Sequence, residues 1–124
     1  MVGVTAVAGG AGAALRYGIT AFGARISPQF PWGVLIVNVL GSAIGGMLVA
    51  VLPAGDGLGE AGRLILLTGL CGGLTTFSTF AVDTVQLAER DEKLSAANLY
   101  VMAHLGLGIG AAVGAFALAS WVVG

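Results

Sequence analysis

The stretch from Thr68 to Phe80 concentrates the residues of this chain that could do chemistry. It reads Thr-Gly-Leu-Cys-Gly-Gly-Leu-Thr-Thr-Phe-Ser-Thr-Phe, so glycines, hydroxyls and two phenyl rings interrupt a segment that is otherwise apolar. Lipid offers no water to an interrupted backbone, and such a break persists only inside protein or beside a polar pathway. Transport proteins place ion and substrate sites at broken helices of this kind. The stretch therefore predicts a transport site.

The elements that must position this site are membrane-spanning helices. Hydrophobic residues make up 57% of the 124 and charged residues 9%, against about 25% charged in a soluble domain. The charge-free gaps approach or exceed the roughly 20 residues that cross a bilayer. We predict an all-α integral membrane protein with four transmembrane helices, at about 2–24, 32–53, 62–89 and 94–122, the third broken near residues 72–76. No soluble domain fits beside them, so 1–124 is predicted to be a single transmembrane domain.

Polar side chains continue after the break at helical spacing. At about 100° per residue, one side of the helix carries Thr76, Thr79, Phe80, Asp83, Gln86 and Arg90, with Phe77 at its border. Hydroxyls that bond back to carbonyls one turn earlier would explain a single threonine, but a stripe of this length indicates a polar path. Ring edges and a helix N-terminus attract anions weakly, and weak sites suit conduction. The carbonyls of a helix that ends near Gly72 would suit a small hard cation.

Three further residues have more than one interpretation. Asn38 either forms a hydrogen bond between helices or is part of the polar path. Arg16 must reach the interface, find a partner or attract anions at a vestibule. His104, one turn after Tyr100, is either a donor that faces the pore or an interhelical contact.

Small residues at four-residue spacing predict close helix packing. Gly41 and Gly45 form one such pair, and Gly106, Gly110 and Gly114 continue the spacing along the last helix.

Several functional classes fit the sequence poorly. We predict no enzyme, because no nucleophile elbow or phosphate-binding loop is present. The net charge of −1 argues against a nucleic-acid partner. A small multidrug-type transporter with four helices is one alternative, but it needs a carboxylate in the first helix, and no acidic residue precedes Asp56. A non-conducting subunit of a membrane complex is the other alternative.

The charges between the helices specify orientation weakly. With the N-terminus in the cytoplasm, Arg63 would lie inside, whereas Arg25, Arg90 and Lys93 would lie outside. Such a small bias permits insertion in both orientations, or it marks one member of an oppositely oriented pair.

Three motifs together resemble the Fluc (CrcB) family of fluoride channels. They are Gly12-Ala13-Ala14-Leu15-Arg16-Tyr17, the run from Trp32 to Ser42 that contains Asn38, and the run from Thr68 to Phe80. The likeness spans essentially the whole chain in order. It implies passive fluoride export across the inner (plasma) membrane, which protects the cell from fluoride, by a multi-pass protein that forms an antiparallel dimer with two pores. The second subunit would be an identical chain or a paired homologue.

The resemblance also assigns roles to residues. It places Phe77 and Phe80 along the fluoride pathway as rings and Asn38 as an amide, with hydroxyls from Thr76, Ser78 and Thr79, Arg16 near the vestibule and the aromatic Tyr100 on the fourth helix. The carbonyls of Gly72 and Thr75 would bind a structural Na⁺ at the dimer midplane. His104 departs from the small hydroxyl residues that are common in the family near that position.

Overall fold

The structure, a computed structural model, describes residues 2–52, 57–90 and 95–124, and in these ranges every regular element is a helix. We number them α1 (Val2–Ile26), α2 (Trp32–Val51), α3 (Gly57–Arg63, the π-helical Leu64–Cys71 and Gly72–Leu74 in succession), α4 (Phe77–Arg90) and α5 (Ser95–Val123). The predicted end of the second span at residue 53, the predicted start of the last at residue 94, and Lys93 all lie outside the described residues.

Three of the predicted spans are confirmed by length and composition. The segments Trp32–Val51, Gly59–Arg90 and Ser95–Val123 are long and apolar enough to cross a membrane. Helix α1 forms as predicted and runs for 25 residues, but it is not among these three. Its glycines and its Arg16 make it less hydrophobic than the other long helices. The prediction is therefore confirmed for α1 as a helix, and for the other three as candidate spans.

The predicted break in the third span is confirmed and is narrower than expected. Only Thr75 and Thr76 leave the helical conformation, with Thr75 in an extended conformation at φ −84° and ψ 157°. Gly72 and Gly73 remain helical, so the expectation that the helix ends near Gly72 was two residues early. The next helix was expected to begin near Thr75, and it begins two residues later, at Phe77.

Glycines bring α1 and α3 into backbone contact. Gly73 lies against the backbone of Gly9, and Gly12 lies against that of Leu70, so a Cβ on either glycine would collide with a carbonyl oxygen. Since lipid supplies no hydrophobic drive between helices, such close approach is the way membrane helices gain packing energy. The role of Gly73 is thus to admit α1, not to end the helix.

The other predicted glycine pairs divide into two groups. Gly41 on α2 packs against the Thr75 side chain, and Gly45 lies beside Leu67, as expected. By contrast, Gly106, Gly110 and Gly114 on α5 have no atom within 4 Å of the place where a Cβ would lie. The predicted ridge on α5 therefore makes no contact with the described residues of this chain.

The buried core lies where α2, α4 and the first half of α5 meet. Tyr100 is fully buried there with Val34, Leu35, Leu87 and Ala97. Large apolar side chains are exposed on the outer faces of the helices, for example Phe22, Val85 and Leu107. This inside-out distribution matches helices that face lipid. The core fixes α4 against α2 and α5, and it thereby positions the break.

Candidate functional site

The side chain of Asn38 pairs with the interrupted backbone at Thr76. The Thr76 N–H donates to Asn38 Oδ1 at 2.8 Å, and Asn38 Nδ2 donates to the Thr76 carbonyl at 3.1 Å. This primary amide presents a donor and an acceptor side by side, as a neighbouring peptide would. It gives the Thr76 N–H the partner that the break removes, and it adds a second hydrogen bond at the Thr76 carbonyl.

Thr76 also begins helix α4. Its side-chain oxygen accepts the Thr79 N–H at 3.2 Å, which is the contact of an N-cap residue. The Thr76 hydroxyl donates to Thr79 Oγ1 at 3.0 Å and lies 3.4 Å from Ser78 Oγ. The hydroxyls predicted to form a polar path are therefore joined to one another, whereas Thr75 and Thr84 bond back to carbonyls one turn earlier.

His104 contacts Asn38 from the opposite side. Its Nε2 lies 3.1 Å from Asn38 Nδ2, and its Nδ1 lies 3.0 Å from the Tyr100 carbonyl. An amide nitrogen only donates and a carbonyl only accepts. Hence Nε2 is the acceptor, Nδ1 carries the proton, and the ring is neutral. Both hydrogens of Asn38 Nδ2 are then used inside the protein, and His104 is the interhelical contact that was one of its two interpretations.

The aromatic rings form a wall beside the break. Phe80 lies 4.2 Å from the His104 ring and 5.5 Å from Tyr100, measured between centroids. Phe77 lies 5.8 Å from Phe80, but it is 78% exposed. The Tyr100 hydroxyl donates to Asp83 Oδ2 at 3.2 Å, so a buried ring connects the wall to the polar stripe of α4.

Two cavities adjoin the break. The first, of about 250 Å³, lies between the connection from α1 to α2 and the stripe of α4, and its lining includes Thr79, Asp83, Gln86 and Arg90. The second, of about 350 Å³, is lined by Asn38, Ser42, Thr75, Thr76, Phe77, Phe80, His104 and Leu105. Because Thr76 lines one cavity and Thr79 the other, their hydroxyl pair lies between the two.

The carbonyls at the end of α3 are the atoms that could hold a cation. The usual helical partner of the Gly72 carbonyl is the Thr76 N–H, which donates to Asn38 instead. The Thr75 carbonyl accepts Arg16 Nη1 at 3.2 Å, and a carbonyl oxygen retains a second lone pair. Among the described residues, no three His, Cys, Asp or Glu side chains come together as a metal site.

The residues predicted from sequence come together closely. Asn38, Thr76, Phe77, Phe80 and His104 line one cavity; Thr79 lines the other and bonds to Thr76. Ser78 is exposed beside them, and Tyr100 lies behind the rings. Arg16 finds a partner at the break itself, on the Thr75 carbonyl.

Sequence reasoning missed Ser42 and Phe30. Ser42 lines the second cavity, and its place one turn after Asn38, on the same face of α2, was a usable signal. Phe30 meets the Tyr100 ring edge-on at 5.4 Å, and no local pattern pointed to it.

Comparison with known proteins gives a consistent result. Residues 4–116 match the family model described as CrcB-like protein, Camphor Resistance (CrcB). The chain is 44% identical over 108 residues to a protein of Nitrobacter winogradskyi named fluoride-specific ion channel FluC, covering 86% of this chain and 85% of that one. A Methylobacterium nodulans protein of the same name is 43% identical over 112 residues, covering 90% and 89%.

Proposed function

This chain belongs to the CrcB family, and we propose that it is a fluoride-selective channel that passively exports fluoride from the cell. Its relatives are named as ion channels rather than enzymes, and its apolar helices make it a multi-pass membrane protein. We place it in the inner (plasma) membrane, with 1–124 as one channel domain. Export would protect the cell from fluoride toxicity.

The observation that carries the proposal is the hydroxyl pair between the two cavities. The Thr76 hydroxyl donates to Thr79, so the Thr79 hydroxyl hydrogen points elsewhere, and Thr79 lines the first cavity. An anion that moves from one cavity to the other would meet hydroxyl groups and the edges of Phe77 and Phe80. These groups are weak donors without full charge, which allows an ion to bind and to leave.

Selectivity follows from the size and hydration of the ion. Fluoride is small and strongly hydrated, so a narrow path must replace its water with donors, and chloride is too large for the same spacing. Asn38 acts by holding the break open, because its own hydrogens bond Thr76 and His104. It thereby orients the Thr76 hydroxyl that takes part in the path.

A second subunit completes the pathway in this proposal. Phe77 and Leu105 line the second cavity, yet 78% and 52% of their surfaces are exposed in one chain. A wall built from exposed apolar side chains needs another protein surface to exclude lipid. We propose an antiparallel dimer with two pores, formed with an identical chain or a paired homologue. In each subunit α1 also crosses the membrane, which brings the number of spans to four.

A structural Na⁺ at the dimer midplane fits the donors at the break. The carbonyls of Gly72 and Thr75 are hard oxygen ligands, and Gly72 is exposed, so a second chain can approach it. Two carbonyls from one chain are too few for a cation, which favours an ion shared between two subunits. When bound, Na⁺ would neutralise the partial negative charge at the end of α3.

The function is tested by efflux from liposomes that contain only this purified chain. We expect fluoride efflux with negligible chloride efflux, driven by voltage at about 2.3 kcal/mol per charge per 100 mV. The reversal potential is expected to follow the fluoride gradient and to ignore a pH gradient at fixed fluoride. A reversal potential that moves with proton concentration would identify a coupled transporter, and efflux of chloride at the fluoride rate would contradict selectivity.

Removal of Na⁺ is expected to weaken the dimer. If the end of α3 needs a shared cation, exchange of Na⁺ for N-methylglucamine should lower the thermal unfolding temperature and increase the monomer fraction on size exclusion. Potassium at the same ionic strength is the control for screening. An unchanged dimer in N-methylglucamine would remove the ion from the proposal while leaving the flux test unaffected.

A further inference from the structure

His104 lines the second cavity, and it also contacts Asn38, the residue that supports the break. Its Nε2 accepts one hydrogen of Asn38 Nδ2, and the other hydrogen goes to the Thr76 carbonyl. With both hydrogens directed in this way, Oδ1 can only face the Thr76 N–H. Three contacts therefore set the orientation of the amide. Two of them are with the Thr76 backbone at the break, and the third is with His104.

We propose that His104 is a positioning residue that locks the Asn38 amide onto Thr76, and that a proton on His104 releases the lock. The inference rests on the proposed function, and the second of its two tests, thermal unfolding, is independent of that function. Histidine is the side chain whose charge changes most readily between acid and neutral pH. In the neutral ring, Nε2 accepts a hydrogen bond from Asn38. Protonation of Nε2 would replace this favourable contact with two N–H groups that face each other.

The amide has no equivalent alternative orientation. If it rotated by half a turn, Oδ1 could accept the new N–H of His104. The same rotation would set the amide nitrogen against the Thr76 N–H and the amide oxygen near the Thr76 carbonyl. Both contacts at the break would then be lost for the one regained. The Thr76 N–H would lose its partner, and the capping of α4 would lose its support.

The helices packed around His104 present few charged groups. On α4, Asp83 accepts a hydrogen bond from the Tyr100 hydroxyl at one of its oxygens. Helix α2 carries no charged residue, and Arg16 on α1 donates to the Thr75 carbonyl. Phe80 from α4 contributes only its ring, at 4.2 Å between centroids. A proton on His104 thus meets one carboxylate and no paired acceptor at Nε2.

The test compares four proteins at symmetric pH 8 and pH 5.5, with the flux of protein-free liposomes subtracted because hydrofluoric acid crosses lipid unaided. For the natural chain we expect fluoride efflux to fall between pH 8 and pH 5.5, because a proton on His104 removes the acceptor at Nε2. His104→Gln, which can present an uncharged acceptor at a similar reach, is expected to conduct fluoride at nearly the same rate at pH 8 and pH 5.5. His104→Leu, which has no acceptor, is expected to be slower than His104→Gln at pH 8. Glu89→Gln, which removes an exposed carboxylate on α4 that lines neither cavity, is the control and should keep the fall.

A second measurement keeps the inference separate from the proposed function. The thermal unfolding temperature of the natural chain in detergent is expected to fall between pH 8 and pH 5.5 by several degrees more than that of His104→Gln. Absence of fluoride efflux at pH 8 would overturn the channel proposal, and the unfolding temperatures would still decide the role of His104. An equal pH response in the natural chain and His104→Gln, in both measurements, would overturn the inference.

Discussion

Replacement of Phe80 by isoleucine is expected to lower fluoride efflux about tenfold, which corresponds to roughly 1.4 kcal/mol in the barrier. Phe80 lines the second cavity and packs its ring against His104. Isoleucine keeps apolar bulk but has no positive ring edge to face an anion. The measurement is efflux from liposomes at equal protein density, with the dimer fraction checked by size exclusion.

The matched control is Phe116→Ile. Phe116 is 45% exposed on α5 and does not line either cavity, so its replacement should leave efflux unchanged. Phe77→Ile is expected to lower efflux as well, because that ring lies 5.8 Å from Phe80 at the same cavity. If Phe80→Ile and Phe77→Ile both conduct at the natural rate, the rings have no part in the mechanism.

The candidate residues could be grouped from sequence because their signals are local in the chain. The charge-free gaps predicted the helices, and the hydroxyl-rich run predicted a break whose position was correct to within two residues. The stripe of Thr79, Asp83, Gln86 and Arg90 was also predictable, since helical periodicity alone brings these residues to one face.

The causes of the break were not predictable in the same way. Helix α3 ends where Asn38, which lies 38 residues earlier in the chain, supplies hydrogen bonds to Thr76. The Arg16 contact with the Thr75 carbonyl spans 59 residues, and that of Asn38 with His104 spans 66. A single sequence does not state which distant side chains meet. The sequence therefore placed the end of the helix near Gly72, where local helix propensity is low, and not at Thr75, where tertiary contacts hold the backbone out of the helix.

The π-helical stretch was not predicted for the same reason. Leu64–Cys71 is an apolar run with no local feature that distinguishes it from an α-helix. Such stretches are frequent at functional sites, and this one leads directly into the break. It contains Gly69, which packs against the backbone of Thr5 on α1.

Gly72 and Gly73 have different surroundings, so mutation can separate their roles. Gly73 is in contact with the backbone of Gly9, whereas the nearest atom to a Cβ on Gly72 is the Leu67 carbonyl oxygen at 3.8 Å, an ordinary contact. Both glycines are helical, so helix propensity affects the two replacements equally. Any difference between them must arise from what each glycine contacts.

Gly73→Ala is accordingly expected to destabilise the chain by about 3 kcal/mol or more, because a methyl group would push α1 away from α3 and neither backbone can yield locally. The measurement is the free energy of unfolding in detergent, with the folded yield after purification. Gly110→Ala, where no atom lies within 4 Å, is the control and should be as stable as the natural chain or slightly more so. Gly72→Ala should fold like that control; if Gly72 lies at a dimer axis, its defect will be in dimerisation and Na⁺ dependence. A Gly73→Ala protein with natural stability would show that α1 and α3 do not pack as described, and with that result the arrangement that places Arg16 at the break would also be wrong.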